Sequence, residues 1–279
     1  MGQPFIGSEA VENGSLTKSD LRSRYTRVFR DVYVSPGTEL TPLLRAEAGW
    51  LWSRRRGVVA GFSAAALYRA KWVDPGWPAE LIHDNRHRLP GLQVWGDRFE
   101  SDELDRVGAI PVTRPARTAL DLACWHPLAV SVAAIDALAR ATELKFADVE
   151  LLSQRYPGRR GIRRARQAVN LADAGAESPK ESWLRVILIR AGLPRPQTQI
   201  PVYDEAGNLL ARLDMGWENL KVAAEYDGDH HRTDRAQFAR DIKRIEMLER
   251  MGWIIIRVTS GDRSVEIVHR VRAALARRA

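Results

Sequence analysis

Residues 209–231 read LLARLDMGWENLKVAAEYDGDHH, and this stretch decides the fold of the second half of the chain. Apolar residues recur at alternate positions before and after Glu218-Asn219, a pattern that predicts two β-strands over 209–217 and 220–226. Glu218-Asn219 is short and polar, so we expect it to turn the chain between the two strands. The alternation predicts that one face of the first strand carries Leu213, Met215 and Trp217.

The spacing of two carboxylates across this hairpin depends on the length of its turn. With a two-residue loop, Asp214 lies opposite Ala223, and Glu225 is its diagonal neighbour on the same face, roughly 7–8 Å away at the backbone. A three-residue loop would change the parity and place Asp214 and Glu225 on opposite faces. Two carboxylates on one face at that separation can bind one cation.

Helix and strand signals define the elements around the hairpin. Ser178-Pro179-Lys180-Glu181 opens a helix, which Gly192 and Pro194 end. Another strand, a long helix and a buried strand are predicted over Gln197–Val202, about Thr233–Met251 and Trp253–Val258. A final basic helix begins at about Val265. The order helix, three strands, helix, strand predicts an α/β domain that follows a boundary in the small, polar residues 173–178.

Glu181 has two interpretations. With Ser178 as N-cap and Pro179 at the first helical position, Glu181 lies at the third and can complete a capping box. Glu181 also shares a helix face with Leu184 and Leu188, which places it along the buried stripe rather than towards water. The first interpretation is structural and the second places a carboxylate near the hairpin.

Four carboxylates are therefore expected close together, at Glu181, Asp214, Glu225 and Asp227. Like charges on a half-buried face repel one another, and a hard divalent cation usually offsets that cost. His231, or as second choice His230, follows at once and can act as a general acid or base. The alternative is a set of surface carboxylates on a solvated sheet edge.

The stretch Glu225-Tyr226-Asp227-Gly228-Asp229-His230-His231 resembles the PD-(D/E)xK nuclease superfamily, in the branch similar to very-short-patch repair endonucleases. The resemblance continues at Phe238, Asp241, Arg244, Leu248, Gly252-Trp253 and Arg257. It spans about residues 177–262, and the predicted element order is also that of the superfamily's core. It implies a restriction-endonuclease-like αβββαβ domain that cuts DNA with Mg²⁺ or Mn²⁺ as cofactor.

The resemblance also implies roles for individual residues. Asp214 and Glu225 would be direct metal ligands, with the backbone carbonyl of Tyr226 as a companion. Glu181 would support the metal or its water, and His231 would be the catalytic imidazole. On the long helix, the resemblance implies a structural or phosphate-orienting pair, Asp241 and Arg244.

One position departs from the superfamily pattern. The usual lysine, two residues after the strand glutamate, is Asp227 here, which removes the positive charge expected to position the attacking water. The residues that can supply that charge from elsewhere are His231, Arg240, Lys243 and Arg244. An inactive descendant of the nucleases therefore remains an alternative.

The first half of the chain carries weaker signals. Residues 15–34 predict a short helix capped by Thr17 and then a hairpin, with Val28 to Val34 alternating as a strand that Pro36-Gly37 closes. This is how a winged helix-turn-helix ends, although any small α/β unit would fit as well. Residues 42–70 are predicted helical, short strands are predicted at Ala79–His83 and Leu92–Trp95, and Arg117 to about Ala172 is predicted mostly helical.

Parts of this half resemble abortive-infection antitoxins. The matching segments are Leu16–Leu21, Arg30–Val34, Gly61–Leu67 and Pro115–Asp121. The resemblance implies DNA binding, autoregulation of a promoter or a partner surface. Ser63 and Thr118 can equally be helix caps.

Basic residues are abundant throughout the chain. The formal net charge is +8 and the isoelectric point is about 10.0, which favours polyanionic partners such as nucleic acid. Arg54-Arg55-Arg56 has two interpretations, the favourable end of a helix or a phosphate-binding patch. The candidate nucleic-acid contacts are Lys18, Arg54, Arg55, Arg159, Arg163, Arg240 and Arg244.

Composition limits the remaining classes. Apolar residues make up 45%, no run of 18 apolar residues occurs, and the first ten residues do not resemble a signal peptide, so we expect a cytoplasmic protein without a membrane partner. Cys124 is the only cysteine, which excludes disulfides within one chain.

The sequence predicts an α/β protein with three parts: a winged-helix-like segment over 1–42, a mostly helical antitoxin-like region over 43–174 and a nuclease-like domain over 175–279. The predicted function is a metal-dependent endonuclease delivered to DNA by its N-terminal module. The alternative is a DNA-binding antitoxin or repressor with an inactive nuclease-like domain, and a metal-dependent RNase is a third hypothesis. A second copy of the chain or a partner toxin is an expected protein partner.

Overall fold

A computed structural model describes residues 2–85, 89–228 and 235–278. The chain is of the mixed α/β class and divides into two compact units, Met1–Asn170 (unit 1) and Leu171–Ala279 (unit 2). This division lies close to the predicted boundary at 174/175, and the predicted parts 1–42 and 43–174 both fall within unit 1. None of the helices in the described ranges combines the length and the apolar character needed to cross a bilayer.

Unit 1 begins with two short helices and a small sheet. These elements are β1 (Phe5–Ile6), α1 (Gly7–Glu12), α2 (Lys18–Arg24), β2 (Thr26–Phe29) and β3 (Val32–Val34), with the sheet in the order β1-β3-β2. Thr17 caps α2 as predicted, because its side chain and that of Asp20 form a reciprocal capping box. The predicted helix and hairpin are present. The chain reverses at Asp31, which has a φ of +62°, so 28–34 is not one strand.

The rest of unit 1 combines a five-stranded sheet with six helices. Its elements are α3 (Pro42–Trp52), β4 (Val58–Val59), α4 (Gly61–Leu67), β5 (Ala79–Ile82), β6 (Leu92–Trp95), β7 (Leu104–Val107), β8 (Ile110–Thr113), α5 (Pro115–Trp125), α6 (Leu128–Ala141), α7 (Phe146–Arg155) and α8 (Ile162–Leu171), with α8 ending at the first residue of unit 2. The sheet order is β6-β5-β4-β8-β7. The helix predicted over 42–70 is interrupted, because Arg54 and Arg55 adopt positive φ angles and β4 follows them. The two predicted strands are present as β5 and β6.

Unit 2 has the predicted order of elements. They are α9 (Pro179–Arg190), β9 (Gln197–Tyr203), β10 (Leu209–Trp217), β11 (Val222–Tyr226), α10 (Arg235–Arg250), β12 (Ile254–Val258) and α11 (Ser264–Ala276). The sheet order is β12-β11-β10-β9, with antiparallel pairs except for β11 and β12, which are parallel. Parallel strands need a crossover connection, and α10 provides it.

Two apolar cores cover the two faces of this sheet. On one face, α9 and α11 pack through Leu184 and Val271 against Met215 and Val222. On the other face, α10 packs through Leu248 against Ala223. Both faces are buried, so the carboxylates on the strands lie close to desolvated surroundings.

Candidate functional site

The turn between β10 and β11 is longer than predicted but keeps the predicted parity. Trp217 pairs with Val222, so the loop has four residues, a 3-10 turn over Glu218–Leu220 and then Lys221 in the left-handed region. The expected pairing of Asp214 with Ala223 is therefore wrong. The observed pairs are Met215 with Ala224 and Gly216 with Ala223.

The next step along this ladder brings Asp214 level with Glu225, closer than the diagonal arrangement that a two-residue loop would give. The backbone N–H of Tyr226 donates a hydrogen bond to Asp214 Oδ2 at 2.9 Å. One hydrogen bond thus fixes the carboxylate of β10 against the end of β11.

The alternation of β10 changes at Asp214. Met215 and Trp217 belong to the core under α9 and α11, whereas Leu213 belongs to the core under α10, so the prediction that all three share a face is wrong. The neighbouring strand gives the physical reason. Gln199, which the register places opposite Asp214, has a φ of +53°, a conformation that interrupts the regular pleat.

Glu181 lies at the third position of α9 and is buried. Ser178 caps the helix by accepting the backbone N–H of Glu181. The Glu181 carboxylate does not return to the N-cap backbone; its Oε2 accepts the Glu177 N–H at 2.8 Å and Gln199 Nε2 at 3.2 Å. Glu181 is thus held towards β9 and β10, and burial raises the pKa of its carboxyl group.

Asp214 is the most perturbed acid of this region. Burial raises its pKa from 3.8 to about 7, and the charges of Glu181 and Glu225 act in the same direction. The Tyr226 hydrogen bond and the charge of Arg244 oppose the shift without cancelling it. Three acids therefore interact electrostatically around Asp214, which is what a site that receives a proton or a cation requires.

Glu225 has an arginine partner. Arg244 on α10 donates to both carboxylate oxygens of Glu225, at 3.0 and 2.6 Å, and this pairing raises the pKa of the guanidinium. Arg244 was predicted to pair with Asp241, and the structure corrects this. Asp241 affects Arg244 only through its charge, because both oxygens of Glu225 lie nearer to the guanidinium.

Asp227, which replaces the usual lysine, is paired with Arg257. The two form an ion pair between the end of β11 and β12, and the parallel register sets Arg257 beside Glu225. A positive charge is therefore present near this position, but it comes from the neighbouring strand.

These side chains surround a cavity of about 310 Å³. It is lined by Arg212, Asp214, Glu225, Tyr226, Asp227, Asp241, Arg244, Ile245 and Arg257. The structure brings Asp214, Glu225 and Asp227 together there, with Glu181 close enough to influence Asp214. His230 and His231 lie outside the described residues. Within the described ranges, no group of three or more His, Cys, Asp or Glu side chains is arranged to hold a metal ion.

The candidate nucleic-acid contacts fall into different environments. Three of them, Lys18, Arg163 and Arg240, are exposed. Arg54 and Arg55 are about half exposed and form ion pairs with Asp31 and Glu9. Arg244 lines the cavity.

Arg159 is a correction. Its side chain is only 8% exposed and is held by Asp97 and Asp121, so it stabilises the interior of unit 1 and is not placed to contact a phosphate backbone. The prediction of a basic cluster on a helix missed this because Arg159 precedes α8 and its acidic partners are distant in sequence.

Three residues of the site were not assigned roles from the sequence. Arg257 was visible as the one charged residue of an apolar strand, but its partner depends on the β11–β12 register. Arg212 was visible only as a polar position on β10, and Gln199 as the residue before an apolar pair. Neither position has a local pattern that indicates its neighbours.

The fold and the cavity define an α/β protein with a carboxylate–arginine site where β10 and β11 meet α10. Two proteins of Mycobacterium tuberculosis are similar to this chain, "Uncharacterized protein Rv2248" of strain H37Rv and "Uncharacterized protein MT2308" of strain CDC 1551 / Oshkosh. Each is 33% identical over 252 residues, which is 90% of this chain and 88% of the relative. The chain therefore belongs to the family of these mycobacterial proteins. No protein-family model matches the chain. No solved structure matches it either.

Proposed function

We propose that unit 2 is a metal-dependent endonuclease that hydrolyses DNA phosphodiester bonds in the cytoplasm, and that unit 1 binds nucleic acid and directs it to its target. The observation that carries this proposal is Asp214, fixed by the Tyr226 N–H and destabilised as an anion by burial, Glu181 and Glu225. An enzyme tolerates such a cluster when its charge is needed for chemistry.

Asp214 and Glu225, with the Tyr226 carbonyl, are the residues that would hold Mg²⁺ or Mn²⁺. Mg²⁺ is usually bound through one or two carboxylates and water, so two converging acids fit its requirements. When bound, the ion supplies Lewis-acid stabilisation of phosphate charge and a more acidic water. Arg244 must release at least one oxygen of Glu225 before that oxygen becomes a ligand.

The arginines of the cavity suit the other half of the reaction. Arg212, Arg244 and Arg257 line the same space as the acids, and a guanidinium binds two phosphate oxygens at once. In this proposal they hold the scissile phosphate and offset the charge that develops on it. Glu181 keeps Asp214 basic, and His231 is the proposed proton-transfer group.

Supercoiled plasmid tests the proposal. The full chain is incubated with plasmid in Mg²⁺, in Mn²⁺ and in EDTA, beside Glu225→Gln and Glu246→Gln. Glu246 is an exposed acid on α10 whose ion pair with Arg250 is solvent-accessible, so it is a matched control. We expect metal-dependent nicking by the wild type and by Glu246→Gln, and none by Glu225→Gln. Cleavage by Glu225→Gln at the wild-type rate would show that the assigned site is wrong.

A second candidate function is a DNA-binding antitoxin or repressor with an inactive nuclease-like domain. The arginine pairs favour it, because Arg244 covers both oxygens of Glu225 and Arg257 neutralises Asp227. In that case, Arg54→Ala or Arg163→Ala would weaken DNA binding and reduce its salt dependence. A saturable effect of Mg²⁺ on thermal stability would contradict this candidate, since only a bound ion produces it.

A further inference from the structure

Unit 1 contains a second cavity, of about 760 Å³, between the end of β6 and the end of α5. Its walls include Gln93, Trp95, Asp97, Trp125, Arg160 and Arg164. Small-molecule sites typically have volumes of roughly 300–1,000 Å³ and combine apolar surface with a few polar groups. This cavity has that size and that combination.

Two tryptophans form its aromatic wall. Trp95 and Trp125 are stacked with their ring centroids 4.3 Å apart and their planes 6° from parallel. Both indole N–H groups are bonded, that of Trp95 to Glu80 at 3.3 Å and that of Trp125 to Asp97 at 3.1 Å. The rings are therefore fixed in orientation and present a preformed surface on which a flat ring can stack.

The acid in the wall is already neutralised. Asp97 accepts from Trp125 through one oxygen and pairs with Arg159 through the other, at 2.8 Å. Arg159 also lies over the Trp125 ring, 5.6 Å from its centroid. Asp97 therefore contributes little net negative charge to the cavity.

The remaining charges are positive. Arg164 donates to the carbonyls of Ala123 and Cys124 at the end of α5, and no carboxylate pairs with it in the part of the chain that the structure describes. Arg160 is exposed, and none of the described residues forms an ion pair or hydrogen bond with it. Two guanidinium groups thus border an aromatic wall without anionic partners of their own.

The backbone holds these arginines against the tryptophans. Gly161 has a φ of +87°, and a Cβ there would lie 2.4 Å from the Cys124 carbonyl oxygen. Only glycine permits that approach, which brings the chain between Arg160 and Arg164 onto the end of α5.

From these contacts we infer that this cavity binds a nucleoside monophosphate, either free or as an unpaired nucleotide of a single strand. The base stacks on the tryptophan wall, the Gln93 amide lies within the same wall to contact the base edge, and Arg160 pairs with the phosphate. The inference does not depend on the nuclease proposal, because all the residues involved belong to unit 1.

Calorimetric titration of the full chain with dAMP, deoxyadenosine and inorganic phosphate tests the ligand class. We expect dAMP to bind with a dissociation constant below about 1 mM, and more tightly than either of its parts. Arg160→Gln should weaken dAMP binding roughly tenfold, the effect of losing one charge-assisted contact. Arg166→Gln removes the same charge from an exposed position on α8 that does not line the cavity, and should leave binding unchanged.

Two results would overturn the inference. Equal binding of dAMP and phosphate would show that the aromatic wall takes no part, and equal losses in Arg160→Gln and Arg166→Gln would show only general attraction to a basic surface. A four-nucleotide oligodeoxyadenylate distinguishes the two sources of the ligand. Tighter binding of the oligonucleotide than of dAMP supports a single strand, whereas weaker binding supports the free nucleotide.

Discussion

At the scale of single residues, the account rests on how Asp214 is solvated. An aspartate in water ionises near pH 4, but burial beside Glu181 and Glu225 raises the pKa of Asp214 to about 7. The folded state thus binds a proton in a pH range where the unfolded chain does not. A divalent cation can replace that proton, which links the electrostatics of this side chain to the proposed function.

Asp214→Asn is predicted to stabilise the protein at neutral and alkaline pH. Because the pKa is raised on folding, the wild type is least penalised below pH 4 and loses stability as the pH rises through 7. The gain of the variant should therefore grow between pH 4 and 7 and then level off, at on the order of 1–4 kcal/mol. Urea unfolding at pH 4, 6 and 8 measures it.

Asp204→Asn is the control for that series. Hydrogen bonds from the side chain and backbone of Asn208 lower the pKa of Asp204, so its loss should destabilise the protein above pH 4. If both variants gave the same change at every pH, the proposed cause at Asp214 would be wrong.

Arg244→Gln tests whether Glu225 is available to a cation. Removing the guanidinium leaves a carboxylate that is only 7% exposed without its partner, which should cost about 1–3 kcal/mol without divalent ions. Mg²⁺ should restore part of that stability by taking the place of the arginine. Thermal melts across an Mg²⁺ series measure the recovery.

Arg250→Gln provides the comparison, since it breaks an exposed ion pair with Glu246 on the same helix. We expect a small loss of stability and no special response to Mg²⁺. A melt of Arg244→Gln that is insensitive to Mg²⁺ would speak against a metal site at Glu225.

At the scale of elements, local rules predicted what local interactions determine. The N-cap at Ser178, the order of elements in unit 2 and the strands β5 and β6 followed from capping residues and apolar periodicity. The four-residue turn after β10 did not, because its left-handed residue is Lys221 rather than a glycine or asparagine. Periodicity also gave no indication of β4, a strand of two residues.

Contacts between distant segments account for the rest of the site. The acids at 181, 214, 225 and 227 were predicted from their pattern, but their arginine partners were not. Arg257 meets Asp227 only because β12 pairs in parallel with β11, and Arg244 meets Glu225 because α10 crosses above them. Sequence spacing does not determine such a register.

Gly216→Ala is predicted to disturb the pairing of β10 and β11. A Cβ at Gly216 would lie 2.3 Å from the Val222 carbonyl oxygen and 2.9 Å from Ala223 Cα, both backbone atoms that cannot move independently. We expect a loss of about 1–3 kcal/mol in the free energy of unfolding, as for other overpacked positions. Chemical denaturation measures the loss.

Gly228→Ala is the matched substitution at the other end of the hairpin. No atom lies within 4 Å of a Cβ added there, so the change should be close to neutral. Similar losses in the two variants would contradict the proposed steric cause.

At the scale of the whole molecule, the chain consists of two units, each with its own apolar core. Unit 2 includes both faces of its sheet within residues 171–279, so a fragment of those residues is predicted to fold alone. Circular dichroism and a cooperative urea transition would show this. A fragment that lacks a cooperative transition would mean that unit 2 depends on unit 1.

The central claim concerns the whole chain acting on DNA. The measurement that tests it most directly is the rate of plasmid cleavage by wild type and Asp214→Asn over a range of Mg²⁺ concentrations. The account predicts a rate that rises and saturates with Mg²⁺ for the wild type, and loss of cleavage in the variant although its fold is more stable. Absence of cleavage by the wild type at every Mg²⁺ concentration, with DNA binding retained, would contradict the nuclease and favour the DNA-binding antitoxin or repressor.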